Sequence, residues 1–243
     1  MNVFEIKGLS KSFQGSFWSP KKRVLDQVGF SVAEGTTVGF VGGNGSGKTT
    51  TIKSILDFIR PESGEILFWG KPLDNASKAK LGYLPERPYF YEFLTGMEFL
   101  KFHWDLCHDS RNGFEEKAMK AIQKVGLAEA KDRKLRSYSK GMLQRIGIAQ
   151  STLNDPELLI LDEPMSGLDP DGRMMVKEIL REEQKKKITI FFTTHLLHDV
   201  EELCSHLVVI DQGRIIYVGD LKPFVEKYKD LDEAFHEMRR GKR

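Results

Sequence analysis

The chain has 243 residues, 40% of them hydrophobic and 30% charged. That is apolar matter for one large domain, or one domain with an embedded subdomain, under a well-charged surface, which excludes a disordered chain and a disulfide miniprotein. Thirty-seven basic against thirty-five acidic side chains leave a formal charge of +2, too weak a field to gather nucleic acid by counterion release, so no nucleic-acid partner is expected.

The opening residues Met1–Lys7 include Glu5 and lack the apolar run of ~7–15 residues that a secretory signal needs. No window approaches the ~18 consecutive apolar residues of a membrane span, and Cys107 and Cys204 fall outside any CxxC spacing and read as buried free thiols. A reducing, cytoplasmic location is expected, with any membrane role supplied by a partner. Leu25, Val28, Phe30 and Val32 partly alternate with polar neighbours, and Thr37–Val41 is a β-branched and aromatic run ending in glycines, so short strands are predicted. Ile52, Ile55, Leu56 and Ile59 then recur at the spacing of a buried helical stripe, brought to an end by Pro61 and Gly64.

Between that strand and that helix lies Gly42-Gly43-Asn44-Gly45-Ser46-Gly47-Lys48-Thr49, which fits G-x-x-x-x-G-K-[ST] in the context the motif requires. Glycines let successive N–H groups close on phosphate oxygens, and the start of a helix adds its positive dipole end. Lys48 is expected to reach the β- and γ-phosphates and Thr49 to ligate Mg²⁺, with Thr50 beside them in the nucleotide site. Further on the texture becomes helical: Thr95-Gly96-Met97-Glu98 is a capping box, and Phe114 to Val125 reads as a helix stopped by Gly126. We read the fifty-odd residues from Pro85 as a helical insertion. Short apolar runs at Leu158–Leu161, Ile188–Phe192 and Leu207–Ile210 alternate with helical stretches, the pattern of a parallel sheet.

Asp162-Glu163 close the first of those runs, placing two carboxylates at the sheet edge where α/β proteins bind ligands. Asp162 is expected to hold Mg²⁺ through its water shell and Glu163 to take a proton from the water that attacks the γ-phosphate. His195, after Thr193-Thr194, belongs at another strand end and is placed to touch the γ-phosphate. His195 and His198 have H-x-x-H spacing without a third ligand nearby, so a zinc site is rejected.

Tyr138-Ser139-Lys140-Gly141-Met142-Leu143-Gln144-Arg145 precedes Asp162 where the ATP-binding subunits of ABC transporters carry their signature, usually written LSGGQ. The chain resembles that family from Phe4 to at least Gly219, with phosphate loop, helical insertion, signature, carboxylate pair, Ser166-Gly167-Leu168-Asp169 loop and switch histidine in family order. The resemblance implies an α/β fold: a P-loop NTPase core with a mostly parallel sheet, an N-terminal antiparallel β edge and an inserted helical subdomain at about residues 86–142. The ATP-binding domain would cover residues 1–220, with a charged helical tail at 221–243. It also implies ATP and Mg²⁺ as cofactors and a head-to-tail pair, in which Ser139, Gly141 and Met142 of one subunit cover the nucleotide held by its partner. Phe13 is implied to stack on adenine, with Phe17 and Trp18 as weaker candidates.

Three departures from the pattern stand out. Glu86 replaces the glutamine of the so-called Q-loop; a carboxylate about 6 Å from phosphate charge is repelled by roughly 3 kcal/mol at an effective dielectric of ~20, so Glu86 is expected to contact Mg²⁺. Met142 and Lys140 replace the signature's terminal glutamine and first glycine, and Gly43 stands where proline is common. A unit without a fused membrane domain implies separate membrane permease subunits and a second ATP-binding subunit, identical or different. The short stretch past Gly219 and the form of the signature are similar to the bacterial exporter branch. Tyr89, Phe90, Tyr91 and Phe93 either receive a helix of the membrane partner or pack the insertion's own core, and the Arg239–Arg243 end either approaches anionic lipid or stays solvated. A non-transport ATPase of this family acting on ribosomes or DNA is the other class considered; it usually carries two such domains or a long coiled coil, and neither is evident.

Overall fold

The computed structural model describes residues 1–14, 20–107, 112–228, 230, 233, 234 and 237. Phe17, Trp18 and Arg239–Arg243, singled out above, lie outside the described residues. In chain order the elements are β1 (Asn2–Phe13), β2 (Lys22–Ala33), β3 (Thr37–Val41), α1 (Lys48–Ile55), β4 (Ser63–Phe68), α2 (Asn75–Lys78), β5 (Leu81–Leu84), α3 (Gly96–Cys107) and α4 (Phe114–Lys124). Two single 3-10 turns precede α5 (Lys140–Thr152), β6 (Leu158–Leu161), α6 (Pro170–Lys185), β7 (Thr189–Thr194), α7 (Leu197–Leu203), β8 (His206–Asp211), β9 (Arg214–Asp220) and α8 (Leu221–Lys227). Among the described residues no helix is long and apolar enough to cross a membrane.

The chain divides into two compact units, one of Met1–Asp74 with Thr189–Arg243, the other of Asn75–Ile188. The first holds the antiparallel sheet β2-β1-β4 and the strand order β7-β3-β8-β9, parallel except for β9. A stack of phenylalanines joins these layers. Phe4 meets Phe191 edge-on at 5.2 Å, and Phe40 stacks on Phe191 at 5.3 Å and lies 5.5 Å from Phe30; such pairs contribute about 0.5–1.5 kcal/mol each beyond their area burial. The expected strand at Thr37–Val41 is β3, buried throughout. Its Gly39 lets α7 approach: a Cβ there would lie 2.9 Å from a Val200 methyl and 3.2 Å from the Cys204 sulfur.

The helix after the glycine loop is shorter than its apolar stripe suggests. Instead of reaching Ile59, α1 ends at Ile55 because Asp57 turns left-handed (φ +59°), letting Asp57 N–H bond Ser54 O and Phe58 N–H bond Lys53 O. This pair of bonds satisfies the terminal carbonyls as glycine-ended helices commonly do. At the start of the tail the helix is Leu221–Lys227, and Leu221, Phe224 and Tyr228 are buried with Val41, Leu197 and Val209. Cys107 ends α3 and is exposed, contrary to the buried thiol expected; Cys204 matches that expectation more nearly, and burial drives its thiol pKa up.

In the second unit β5 and β6 are parallel, Leu81 to Leu84 facing Leu158 to Leu161. The capping box before α3 is reciprocal: Thr95 N–H donates to Glu98 Oε2 (2.7 Å) and Glu98 N–H to Thr95 Oγ1 (3.2 Å). Gly126, at φ +64°, follows α4 as expected.

Candidate nucleotide site

In the first unit the phosphate loop is a continuation of β3. Gly47 takes φ +112° and precedes α1 without any side-chain cap, so the first-turn N–H groups of Lys48, Thr49 and Thr50 face outward with no capping side chain. Gly43, Asn44 and Gly45 are exposed, while Ser46, Gly47 and Lys48 are buried and Thr49 and Thr50 half-buried. Lys48 folds back on the loop, donating from Nζ to Gly42 O (2.7 Å) and Gly43 O (3.3 Å). The buried Ser46 Oγ has no hydrogen-bond partner among the described residues. A buried ammonium donating to neutral carbonyls, a buried hydroxyl in want of a partner and an uncapped helix start together suit an anion with several oxygens.

The register of β3 with β7 places His195 at this same edge. Val41 pairs with Thr194, so Gly42 and His195 each come one residue past neighbouring parallel strand ends. His195 is exposed, and the turn beyond it is fixed by Leu196 N–H donating to Thr194 Oγ1 (3.1 Å). Phe13 ends β1 opposite Lys22, is 41% exposed, and carries Lys11 Nζ 5.5 Å above its ring. An open aromatic face of this kind offers a stacking surface.

The second unit gathers the carboxylates in the same way. Leu84 pairs with Leu161 and Asp162 N–H donates to Leu84 O (2.8 Å), so Glu86 and the Asp162–Glu163 pair leave adjacent parallel strands at one edge. Asp162 is only 1% exposed and Glu86 is exposed. Burial, together with the charge of Asp162, pushes the Tyr83 hydroxyl up to about 12, so it stays a neutral neighbour. Glu163 adopts φ +52°, a left-handed conformation that costs a non-glycine residue about 1–2 kcal/mol. Hydroxyl and carboxylate oxygens are the hard donors that Mg²⁺ takes, usually one or two from protein with phosphate and water completing the shell; Glu86 and Asp162 in this unit are donors of that kind, as Thr49 is in the first. Among the described residues no three His, Cys, Asp or Glu side chains are grouped to hold a metal alone.

The signature segment is a helix start. Ser139 is the N-cap of α5, its Oγ accepting from Met142 N–H (3.2 Å), so the helix begins at Lys140. Ser139 and Lys140 are exposed and Gly141 and Met142 half-buried. Tyr138 anchors the segment, its hydroxyl donating to Ala130 O (2.7 Å).

Two neighbours of the signature, named in the motif but given no role by the sequence, hold the second unit together. Arg145 Nη1 donates to Val125 O (3.0 Å) at the end of α4, and Gln144 Nε2 donates to Pro164 O (3.0 Å) and Glu163 O (3.4 Å). Only one sequence signal pointed to Gln144: it lies four and seven residues before Ile148 and Ser151, on what becomes the buried face of α5.

Residues 25–166, which contain the phosphate loop, the signature and both carboxylates, match the ABC transporter family. An uncharacterised ABC transporter ATP-binding protein of Synechocystis is 43% identical over 224 residues, covering 90% of this chain and 63% of the relative's own length. The chain thus spans less than two thirds of that protein. The lantibiotic transport ATP-binding protein SrtF of Streptococcus pyogenes is 32% identical over 234 residues, 96% of each chain. Among solved structures, an ATP binding subunit of an ABC transporter superposes with a TM-score of 0.84 at 31% identity, covering 98% of this chain and 99% of the other. This chain therefore belongs to the ATP-binding subunits of the ABC transporter family.

Proposed function

We propose that the chain hydrolyses ATP to drive an ABC exporter whose membrane-spanning subunits are separate proteins, holding it at the inner face of the cell membrane. The observation that carries this reading is the intact Asp162-Glu163 pair at the end of β6, with Asp162 buried and Glu163 locked in its left-handed turn. Phe13 stacks on adenine. The N–H groups from Gly42 to Thr50 hold phosphate oxygens, and Lys48 exchanges its carbonyl partners for the β- and γ-phosphates. Thr49, Glu86 and Asp162 hold Mg²⁺, which when bound neutralises phosphate charge. Glu163 accepts the proton of the attacking water, and His195 contacts the γ-phosphate.

Ser139, Gly141 and Met142 meet the nucleotide of a second copy or near-copy, so ATP joins two subunits that hydrolysis releases. The exposed Ser139 at the uncovered start of α5 supports that role. Residues 1–220 form the ATP-binding domain, with the helices at 86–142 as its membrane-facing subdomain and 221–243 as a tail. Exposed Tyr89 and Phe93, both packed on Tyr91, which in turn meets Phe102, support docking of a membrane-subunit helix there, whereas Phe90 packs on Phe99 at 5.3 Å. Likeness to a lantibiotic transport ATP-binding protein supports the export direction.

The test is Glu163→Gln. It is expected to bind ATP as the parent does, to lose about 10²–10⁴-fold in kcat, and to accumulate as an ATP-bound dimer in light scattering. Rapid turnover by this variant would remove Glu163 as the base and overturn the reading.

A further inference from the structure

Gln144 is 7% exposed on the inner face of α5. An amide is retained in such a place when its donors are used, and here they are used on two consecutive carbonyls, Pro164 O at 3.0 Å and, more weakly, Glu163 O at 3.4 Å. The backbone they grip has no local reason to be where it is. Glu163 lies at φ +52° without being glycine, and the following Pro164 biases it toward extended backbone instead. Two bonds meet on the turn's first carbonyl: the Ser166 N–H donates to Glu163 O (3.0 Å), and the Gln144 amide reaches the same oxygen. The Ser166 bond is internal to the turn and moves with it. Gln144 is the one of these two donors that reaches in from another element.

We infer that Gln144 is a positioning residue for hydrolysis: its amide fixes the Glu163–Pro164 backbone so that the Glu163 carboxylate is aimed. The inference rests on the reading of Glu163 as the general base. The same side chain ties that backbone to the helix capped by Ser139, five residues or about 7.5 Å earlier along the axis. A shift of α5 on engagement of the signature therefore reaches the carboxylate of the same chain through a rigid helix and one side chain. The effect falls on kcat, because the amide is buried and donates to backbone carbonyls.

The experiment is a double-mutant cycle on the full chain, with Mg²⁺ATP turnover, nucleotide Kd and thermal midpoint read on every variant. Gln144→Met keeps the volume and removes the donors. It is expected to lower kcat about ten- to hundredfold, the scale of a small misplacement of a reacting group, with Kd changed less than about twofold. Added to Glu163→Gln, it is expected to lower the residual turnover no further, since there is then no carboxylate to aim. If Gln144→Met does not fold, Gln144→Asn, whose amide falls one methylene short, takes its place in the cycle, with a loss of at least about threefold and the same non-additivity. Unchanged kcat, a loss that multiplies in the double variant, or a parallel fall in nucleotide affinity would each overturn the inference alone, provided Glu163→Gln is itself impaired. Full turnover by Glu163→Gln would sink the general-base reading first, and this inference with it.

Discussion

The phosphate loop and the Glu163 turn both send the chain sharply off the end of a buried parallel strand, and both use left-handed backbone to do so. In the loop those positions are glycines, Gly45 at φ +75° and Gly47 at φ +112°, where such angles carry no Cβ penalty. In the turn the position is a glutamate at φ +52° followed by proline, and the conformation is imposed by hydrogen bonds arriving from α5 and from Ser166. The first site is shaped by its own sequence and the second by its surroundings. A binding surface made of backbone N–H groups can be written locally, whereas a reacting carboxylate requires a side chain at the position where glycine would have been easiest.

The largest disturbance expected of the locally built site is Lys48→Ala. In the fold the ammonium donates to Gly42 O and Gly43 O, two neutral groups that need no cation beside them, and folding is expected to survive its loss. The phosphates lose a charge-assisted donor, of order 1.5–3 kcal/mol, which is roughly a ten- to hundredfold rise in Kd. Isothermal titration with ATP reads this directly. Parental affinity would contradict the assignment of Lys48, and a collapsed thermal midpoint would show that the lysine supports the loop itself.

Next come the glycines, which separate torsion from contact. An alanine at Gly45 meets nothing within 4 Å and bears only the left-handed penalty, whereas at Gly47 its Cβ would also lie 2.8 Å from Leu25 Cδ2 and 3.2 Å from Val24 O. Gly47→Ala is expected to cost about 1–3 kcal/mol of stability and Gly45→Ala the lower end of that range, compared by denaturant midpoints. Equal losses would mean that packing around Gly47 is softer than its distances imply.

The same contrast explains what could be read in the sequence. Thr37–Val41, the loop and the Thr95/Glu98 capping box are specified by residues within a few positions of one another, and each forms as its pattern predicts. The apolar stripe through Ile59 overran the helix because periodicity registers which residues favour burial and not that Asp57 accepts a left-handed angle. The conformation of Glu163 was not legible at all. The Gln144 amide that bonds it lies nineteen residues away along the chain, and glutamine beside a signature motif looks the same in sequence whether it faces solvent or core. Aromatics divided likewise: Phe90 is half-buried against Phe99 while Tyr89, one residue earlier, is 84% exposed.

The smallest expected effect uses acid to strain the contact-built unit selectively. His103, on α3, lies against Phe99 at 4.6 Å and Phe102 at 5.4 Å, and burial holds its imidazole below its ordinary value of 6.5. In the folded chain it is therefore neutral where the unfolded chain already takes up a proton. Stability is unaffected by this group above about pH 6.5 and declines as the pH falls from there toward the depressed folded value, since unfolding then binds a proton. Thermal midpoints followed from about pH 7.5 to about pH 5 are expected to fall more steeply for the parent than for His103→Phe, which cannot titrate. Because His103 belongs to the unit that holds Glu163 by tertiary contacts, turnover in the parent is expected to decline with its midpoint over that range, while nucleotide affinity, set by the glycine loop in the other unit, stays level. Affinity and turnover falling together would mean that the two sites do not differ in the way their backbones suggest.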